Sequence, residues 1–432
     1  MIPSPETTRV AIIGAGPAGA TLAAFLARKG VSAVILDDGA RPPLIVGESL
    51  VPQLVAVFRS LGIEEEVAKI GVYKPGVTFT FTPEDELRLS FDAVRGVLPP
   101  YAYNVPRKEF DALILQTARR DGARYIEAAA KCEVEKAAIP SQSRARLSEQ
   151  TLALVPEWAG RQPDLIIDAT GRRRVLSKLL GVGAKEGKRA DVSHFAHYEN
   201  CPWPEPRGTI MIIRMKQGWA WKIPLPGSLL SLGIVVNRDY ARKFGATAEE
   251  QLENIISEEP RIAQDCGGRR RVSKVATFAN YQLISHCGAG QNWAMVGDAF
   301  GFVDPMLSPG LCMAMVSAEK LAGIIPTQAE GCRKLPSSLA KYCQWYVRTL
   351  SSWQNLVDYF YDGRIFAIQR AGMEMAARHP GRISDMIERH IGKNLSGMAS
   401  GALINHPYSR WLLSTLGKYG RGGYQPAEFA IR

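Results

Sequence analysis

The sequence has no close pairing among its cysteines. Cys132, Cys201, Cys266, Cys287, Cys312, Cys332 and Cys343 are scattered singly, which excludes both a CxxC-type zinc site and the disulfide framework of a small secreted protein. They are expected to be reduced and mostly buried. The six histidines form no ligand cluster either; His194 and His197 stand three apart in a segment that reads as strand or loop, so no metal is expected. Uninterrupted apolar runs are also missing. The longest, Val10 to Ala27, is broken by Gly14, Gly16, Pro17 and Gly19, which favours strand, turn and helix over a membrane span. There is no charged leader with a small-residue cleavage site, so a cytoplasmic location is expected. No internal repeat or low-complexity segment occurs. The net charge of +11 comes without a long basic stripe. Its short runs, Arg172 to Arg174 and Arg269 to Arg271, read as solvated turns, so nucleic acid is not expected as a partner. The excess instead favours an anionic cofactor and an acidic partner surface. With 46% hydrophobic and 22% charged residues over 432 positions, the chain can form two or more subdomains sharing a core.

What is present begins with Val10 to Ile13, an apolar strand running into Gly14, Ala15, Gly16, Pro17, Ala18, Gly19 and then the helical stretch Ala20 to Arg28. This is a GxGxxG turn between strand and helix. Gly14 permits the tight turn, Gly16 lets the backbone approach a pyrophosphate, and Gly19 lets helix and strand lie close, with the helix N-terminus facing the phosphates. A second strand, Ala33 to Leu36, ends in Asp37, about 20 residues on and placed for a ribose hydroxyl pair. An acid there disfavours a 2′-phosphate and leaves FAD or NAD. Arg41 is counted with the same cofactor set.

Two later segments each read as a buried parallel strand ending in a carboxylate at the ligand-binding edge of the sheet. One is Asp164 to Gly171, with Asp168; the other is Trp293 to Ala299, with Asp298, followed by Asp304, Pro305 and Gly310. Either acid alone could be a capping residue. Val105 to Asp111 opens a helix carrying Arg107 in its first turn, a position that a solvent-facing arginine can also take. The stretch Trp219, Ala220, Trp221, Lys222, Ile223, Pro224 puts two indoles on one face of an extended strand, as ordinary core or as the wall of an apolar space.

The order of these motifs resembles the FAD-dependent monooxygenase superfamily with the para-hydroxybenzoate hydroxylase type of fold. That implies an α/β architecture: a Rossmann-like FAD-binding domain, an interleaved β-sheet substrate subdomain and a helical C-terminal region. The resemblance also implies that Asp298 contacts the ribityl chain and that Arg107 is the flavin-side arginine. Within the superfamily, WxWxIP at Trp219 to Pro224 resembles the hallmark of flavin-dependent halogenases. Gly47, Glu48, Ser49 and Pro52 are similar to their loop near the flavin, and Tyr73 to Gly76 with Phe79 to the segment bearing their essential lysine, here Lys74. The run Gly171 to Gly181 is similar too, and the likeness covers roughly residues 8 to 315.

In such halogenases a flavin C4a-peroxide is attacked by chloride, and hypochlorous acid travels past the two tryptophans to the lysine. The resemblance therefore implies catalytic roles for Lys74, Trp219, Trp221 and Glu48, with Ser49, Pro305 and Gly310 in the cofactor set. The sequence departs from this pattern at Ser308, Pro309, Gly310, where proline removes a backbone N–H that a halide would use. Leu307 also stands where tryptophan halogenases place a catalytic glutamate. These departures favour hydroxylation of an electron-rich ring (tryptophan, indole or phenol) through the flavin C4a-hydroperoxide, with halogenation of phenol or indole as the alternative. Lys74, Glu48 and His194 are the candidate bases. Halogenase-like monooxygenases of tryptophylquinone biogenesis are the subfamily suggested, with a tryptophan in a polypeptide of acidic surface as substrate. Reduction of FAD by NAD(P)H directly and by a separate flavin reductase both stay open. A non-catalytic flavin-binding accessory protein is the third alternative.

The expected organisation is an FAD-binding domain over residues 1–320, interleaved with substrate-side sheet at about 73–104 and 190–285, and a helical region over 321–432. Of that region's aromatic residues, Trp345, Tyr346, Trp353, Tyr359, Tyr361, Phe366 and Trp411, most are expected in the core and one or two at the cavity. Gly417 to Arg432 is expected to be a flexible tail or a docking arm.

Overall fold

A computed structural model describes residues 6–82, 85–187, 189–279 and 282–432. Four strands of the N-terminal half and one from the C-terminal half form a five-stranded parallel sheet in the order Trp293–Met295, Leu165–Asp168, Arg9–Ile13, Ser32–Asp37, Arg124–Glu127. Its central strands are buried on both faces, as in a sheet covered on both sides. The helix Pro17–Arg28 follows the first strand and buries its small residues Ala18, Gly19, Ala20, Ala23 and Ala24. The C-terminal ends of the strands thus bring Gly14, Asp37 and Asp168 to one edge.

The second layer is an eight-stranded sheet. Asp191–Glu199, Leu229–Asn237, Gly218–Leu225 and Ile210–Met215 lie antiparallel at its centre, and Gly76–Thr80 joins parallel to the last of these. The strand Val72–Lys74 stands apart, paired with Ala102–Asn104 in a two-stranded ribbon. The large sheet's two faces have different neighbours. Ala220, Leu232, Ile234 and Ile213 pack with Leu252, Ile255 and Ile256 of the helix Ala248–Glu258 in a core of their own. That helix starts with a capping box between Thr247 and Glu250, which satisfies two otherwise unpaired donors. Trp219, Trp221, Ile212, Ile223 and Val235 belong to the main core on the other face, as the period of two in a strand requires. Trp221 fits only because Gly233 lies opposite it: a Cβ there would sit 2.4 Å from the indole.

The C-terminal region is helical, with its main helices at Leu335–Tyr361, Arg364–Arg378, Arg382–Ala399 and Pro407–Tyr419. Tyr346, Trp353, Tyr359, Tyr361 and Phe366 are buried, whereas Trp411 is 58% exposed. None of the seven aromatics singled out from the sequence lines the cavity described below; Tyr346 packs edge-on against Phe300 and Phe366 stacks on Phe81 instead. The last residues form a docked arm. Arg214 donates to the carbonyls of Phe429, Ala430 and Glu428 at 2.5, 3.0 and 3.1 Å, and the Ile431 N–H donates to the Tyr361 carbonyl at 2.8 Å. Phe429 and Ile431 are buried in the main core. Among the described residues no helix is long and apolar enough to cross a membrane, and no group of His, Cys, Asp and Glu is arranged to hold a metal.

Candidate active site

Between the edge of the parallel sheet and the front face of the large sheet lies a cavity of about 620 Å³, within the range of cofactor and ligand sites. Its outer end is the glycine turn. Gly14 has φ +107°, and a Cβ there would stand 2.5 Å from the Ala169 carbonyl oxygen; at Gly19 a Cβ would lie 2.0 Å from the Gly14 oxygen. Both positions therefore require glycine for packing. Gly16 differs: a Cβ there would meet nothing within 4 Å, so its backbone faces open space. Pro17 occupies the first helical position, where a missing N–H costs nothing, and Gly16 and Ala18 line the cavity. At the end of the second strand, Asp37 accepts from the N–H groups of Ala15 at 2.7 Å and Gly39 at 2.8 Å. Arg41 pairs with the same carboxylate at 3.0 Å. An open backbone at Gly16, first-turn amides without intrahelical acceptors and a strand-end carboxylate together fit the ADP half of FAD.

Towards the middle, Arg107 is half-buried, its guanidinium turned in towards the protein and not out to solvent. It pairs with Asp111 at 2.9 Å and donates to the Val46 carbonyl. Asp298 lines the cavity; burial pushes its carboxyl up to about 6, against the opposing charges of Arg172 and then Arg107. Arg172 corrects an expectation. The run Arg172 to Arg174 is no solvated turn, because the Arg172 guanidinium lies 4.8 Å from the Phe278 ring and 5.8 Å from the Phe302 ring, on the cavity wall. Burial pushes it down to about 10. Arg174 donates to the Ser285 hydroxyl at 2.9 Å, and Arg173 pairs with Asp38. A run of three arginines reads as surface from sequence; the clue lay in its place directly after the strand-end turn at Gly171.

Glu48 and Ser49 both line the cavity, and Glu48 Oε1 lies 2.6 Å from His197 Nε2. Lys74 does not reach it. Its Nζ donates to the Ser49 hydroxyl and the Leu50 carbonyl, both at 2.7 Å, and stands 5.1 Å from the Phe91 ring centre. Burial pushes the ammonium down to about 7. Ser49 therefore stands between the Lys74 ammonium and the cavity. Asp168 is likewise turned away: it accepts from Thr170 N–H at 3.0 Å, Thr170 Oγ1 at 2.6 Å and Leu176 N–H at 2.7 Å, which makes it the cap of the following turn. His194 faces the rear of the large sheet, between Thr277 and Gln251 at 2.9 Å each. It and His197 are an odd number of residues apart, so they point to opposite faces.

The inner end is walled by Trp219 and Trp221, with ring centres 5.7 Å apart and a 45° angle between planes. Trp221 Nε1 donates to Ser231 at 3.2 Å. Trp219 Nε1 donates to the Tyr361 hydroxyl at 2.8 Å, and that hydroxyl donates to Asp304 at 2.8 Å. Asp304 also accepts from Met306 N–H at 3.0 Å, so one buried acid ties the tryptophan wall to the Pro305–Leu307 turn. Ser308 follows with φ +57°, and Pro309 starts the helix that runs to Ile324. Pro305, Met306, Ser308, Gly310 and Leu311 line the cavity, while Leu307 does not.

The profile of the tryptophan halogenase family matches residues 9–98 and 93–364. The chain belongs to the tryptophan halogenase family. Within it, the chain is similar to tryptophan 2-halogenase of Chondromyces crocatus, 26% identical over 371 residues that span 83% of this chain and 68% of that protein. It is 25% identical over 379 residues, 82% of this chain and 83% of the other, to the 1H-pyrrole-2-carbonyl-[peptidyl-carrier protein] chlorinase of Pseudomonas fluorescens. Among solved structures it resembles the myxobacterial chondrochloren halogenase CndH with a TM-score of 0.66, 26% identity and 83% of each chain covered. In this member of the tryptophan halogenase family, the tryptophan pair and the dinucleotide turn therefore line one continuous cavity.

Proposed function

We propose that this member of the family is an FAD-dependent halogenase of an electron-rich aromatic ring, an indole, pyrrole or phenol. The observation that carries the reading is the single cavity that joins the Gly14–Gly19 turn to the paired indoles and the helix start at Pro309. The relatives' own reactions support it. Gly16, Ala18, Asp37 and Arg41 would hold the ADP end of FAD, and Arg107 and Asp298 its middle. Once reduced and met by oxygen, FAD supplies the two-electron oxidant.

The chain's own residues do the rest. Trp219, Trp221, Ile212, Ile223 and Val235 exclude water and present apolar walls to a ring. The first-turn N–H groups of Gly310 and Leu311 sit at a helix N-terminus, where a small anion is favoured. Glu48, held by His197, lies on the cavity wall to accept the proton that leaves the ring. Lys74 acts through Ser49, by fixing that hydroxyl.

A second reading, hydroxylation of the ring, is favoured by one observation. Pro309 lacks the N–H that would make a third donor beside Gly310 and Leu311, so halide capture is weakened. Its narrowest form, hydroxylation of a protein-borne tryptophan in tryptophylquinone biogenesis, rests on sequence resemblance alone. We take the reduced flavin to come from a separate reductase. Incubation with FAD, NADH, a flavin reductase and a panel of indoles, pyrroles and phenols, with and without bromide, tests these readings. A product carrying the bromine isotope pair supports halogenation, and a product that gains only oxygen under both conditions overturns it in favour of hydroxylation. NADH consumption without the reductase would overturn the separate-reductase step.

A further inference from the structure

Among the described residues, the large-sheet side of the cavity is apolar except at one point. Ser193 lines it between residues such as Val235, Trp219 and Phe278. The hydroxyl is buried, 8% of the residue being exposed, and its oxygen has no hydrogen-bond partner within the protein. Buried polar atoms without partners are rare, and one facing a cavity marks a place for a ligand atom.

The strand register puts Ser193 directly opposite Phe278 on one side and Val235 on the other, and Val235 opposite Trp219. The four side chains therefore form one row on the front face. Above the same Phe278 ring, at 4.8 Å, stands the Arg172 guanidinium, delivered by the turn that leaves the parallel sheet. Two unrelated elements thus bring a cation and an orphan hydroxyl to one aromatic ring, beside the tryptophan pair. Asp298 balances part of the arginine's charge. A guanidinium offers a planar fork of donors that suits a carboxylate or other conjugated oxygen anion, and a stacked arginine keeps that fork oriented.

We propose that Arg172 and Ser193 form a subsite for a conjugated oxygen anion, either the carboxylate of an aromatic substrate whose ring rests near Trp219 or the carbonyl edge of the reduced flavin's pyrimidine ring. The subsite rests on the reading of this cavity as the home of FAD and an aromatic ring. It makes Arg172 a binding residue that the arginine run concealed.

Wild-type protein, Arg172→Gln, Arg172→Lys and Ser193→Ala, each reconstituted with FAD, test it in two arms. One is the midpoint potential of bound FAD. The other is the affinity for benzoate against neutral benzamide, read from the flavin absorbance. A substrate carboxylate at the subsite predicts benzoate binding weakened about ten- to hundredfold in Arg172→Gln. The loss should be smaller in Arg172→Lys and Ser193→Ala, with benzamide binding and the potential unchanged. The flavin edge predicts a more negative potential in Arg172→Gln, partly restored in Arg172→Lys, with benzoate affinity unchanged. FAD bound by all four proteins with neither quantity altered overturns the subsite alone. A wild-type protein that takes up no FAD overturns the reading of the cavity and the subsite with it.

Discussion

A methyl group at Gly16 should separate cofactor binding from folding. Gly16 has φ −67° and open space where its Cβ would be, so alanine needs no strained backbone. Gly→Ala at a compatible position gains about 0.4–1 kcal/mol through the unfolded chain, and alanine is a worse helix N-cap than glycine by a similar amount. The net change in stability should stay within about 1 kcal/mol. The same methyl occupies the space a pyrophosphate needs. Losing one charge-assisted hydrogen bond there costs roughly 1.5–3 kcal/mol, or about a ten- to hundredfold rise in the FAD Kd. Gly19→Ala is the control, because its Cβ would lie 2.0 Å from the Gly14 oxygen and 3.1 Å from Ala169 Cβ. Neither contact is the end of a flexible side chain. Overpacking of this kind costs about 1–3 kcal/mol or more. Urea unfolding of the FAD-free proteins and fluorescence titration with FAD give both numbers. If Gly16→Ala binds FAD like the wild type, or loses as much stability as Gly19→Ala, the placement of the pyrophosphate at this turn is wrong.

Two buried charges should make stability depend on pH in opposite directions. The Lys74 ammonium falls from 10.5 to about 7 on folding, so the unfolded chain binds the extra proton between those values and stability rises with pH across them, by at most roughly 5 kcal/mol. Lys74→Met should lose that slope in urea midpoints compared at pH 7 and 9.5. Asp304 rises from 3.8 to about 6; here the folded chain holds the extra proton, so stability falls as pH climbs through that window, by about 3 kcal/mol. Asp304→Asn, which can still accept from Tyr361, should unfold without that fall. Pro309→Ala restores one N–H at the helix start, and the bromide concentration for half-maximal product should drop about ten- to hundredfold, the worth of one hydrogen bond to a charged group.

The dinucleotide turn was legible because its chemistry is local: Gly14, Gly16 and Gly19 act within one strand–turn–helix unit, and Asp37 ends the adjacent strand. The tryptophan pair was legible for a similar reason, since residues two apart in a strand share a face wherever the strand lies. What the sequence hid depends on tertiary neighbours. Lys74 is next to the cavity in sequence terms, yet Ser49 stands between them because the ribbon Val72–Lys74 turns its lysine inward. Asp168 ends a strand at the ligand edge, like Asp298, but the turn to Leu176 consumes its oxygens. Arg172 and Ser193 both neighbour Phe278 only because the two layers pack together there. The docked arm could not be told from a free tail, because the partners of Phe429 and Ile431 lie more than 60 residues away.

The direct test of the proposed chemistry is the isotopic composition of the product. The purified chain, reduced FAD, bromide, ¹⁸O-labelled oxygen and a responsive indole, pyrrole or phenol are brought together, and the product is read by mass spectrometry. Halogenation predicts bromine on the ring and no ¹⁸O in it. A ring that carries ¹⁸O and no bromine, at saturating bromide, contradicts it.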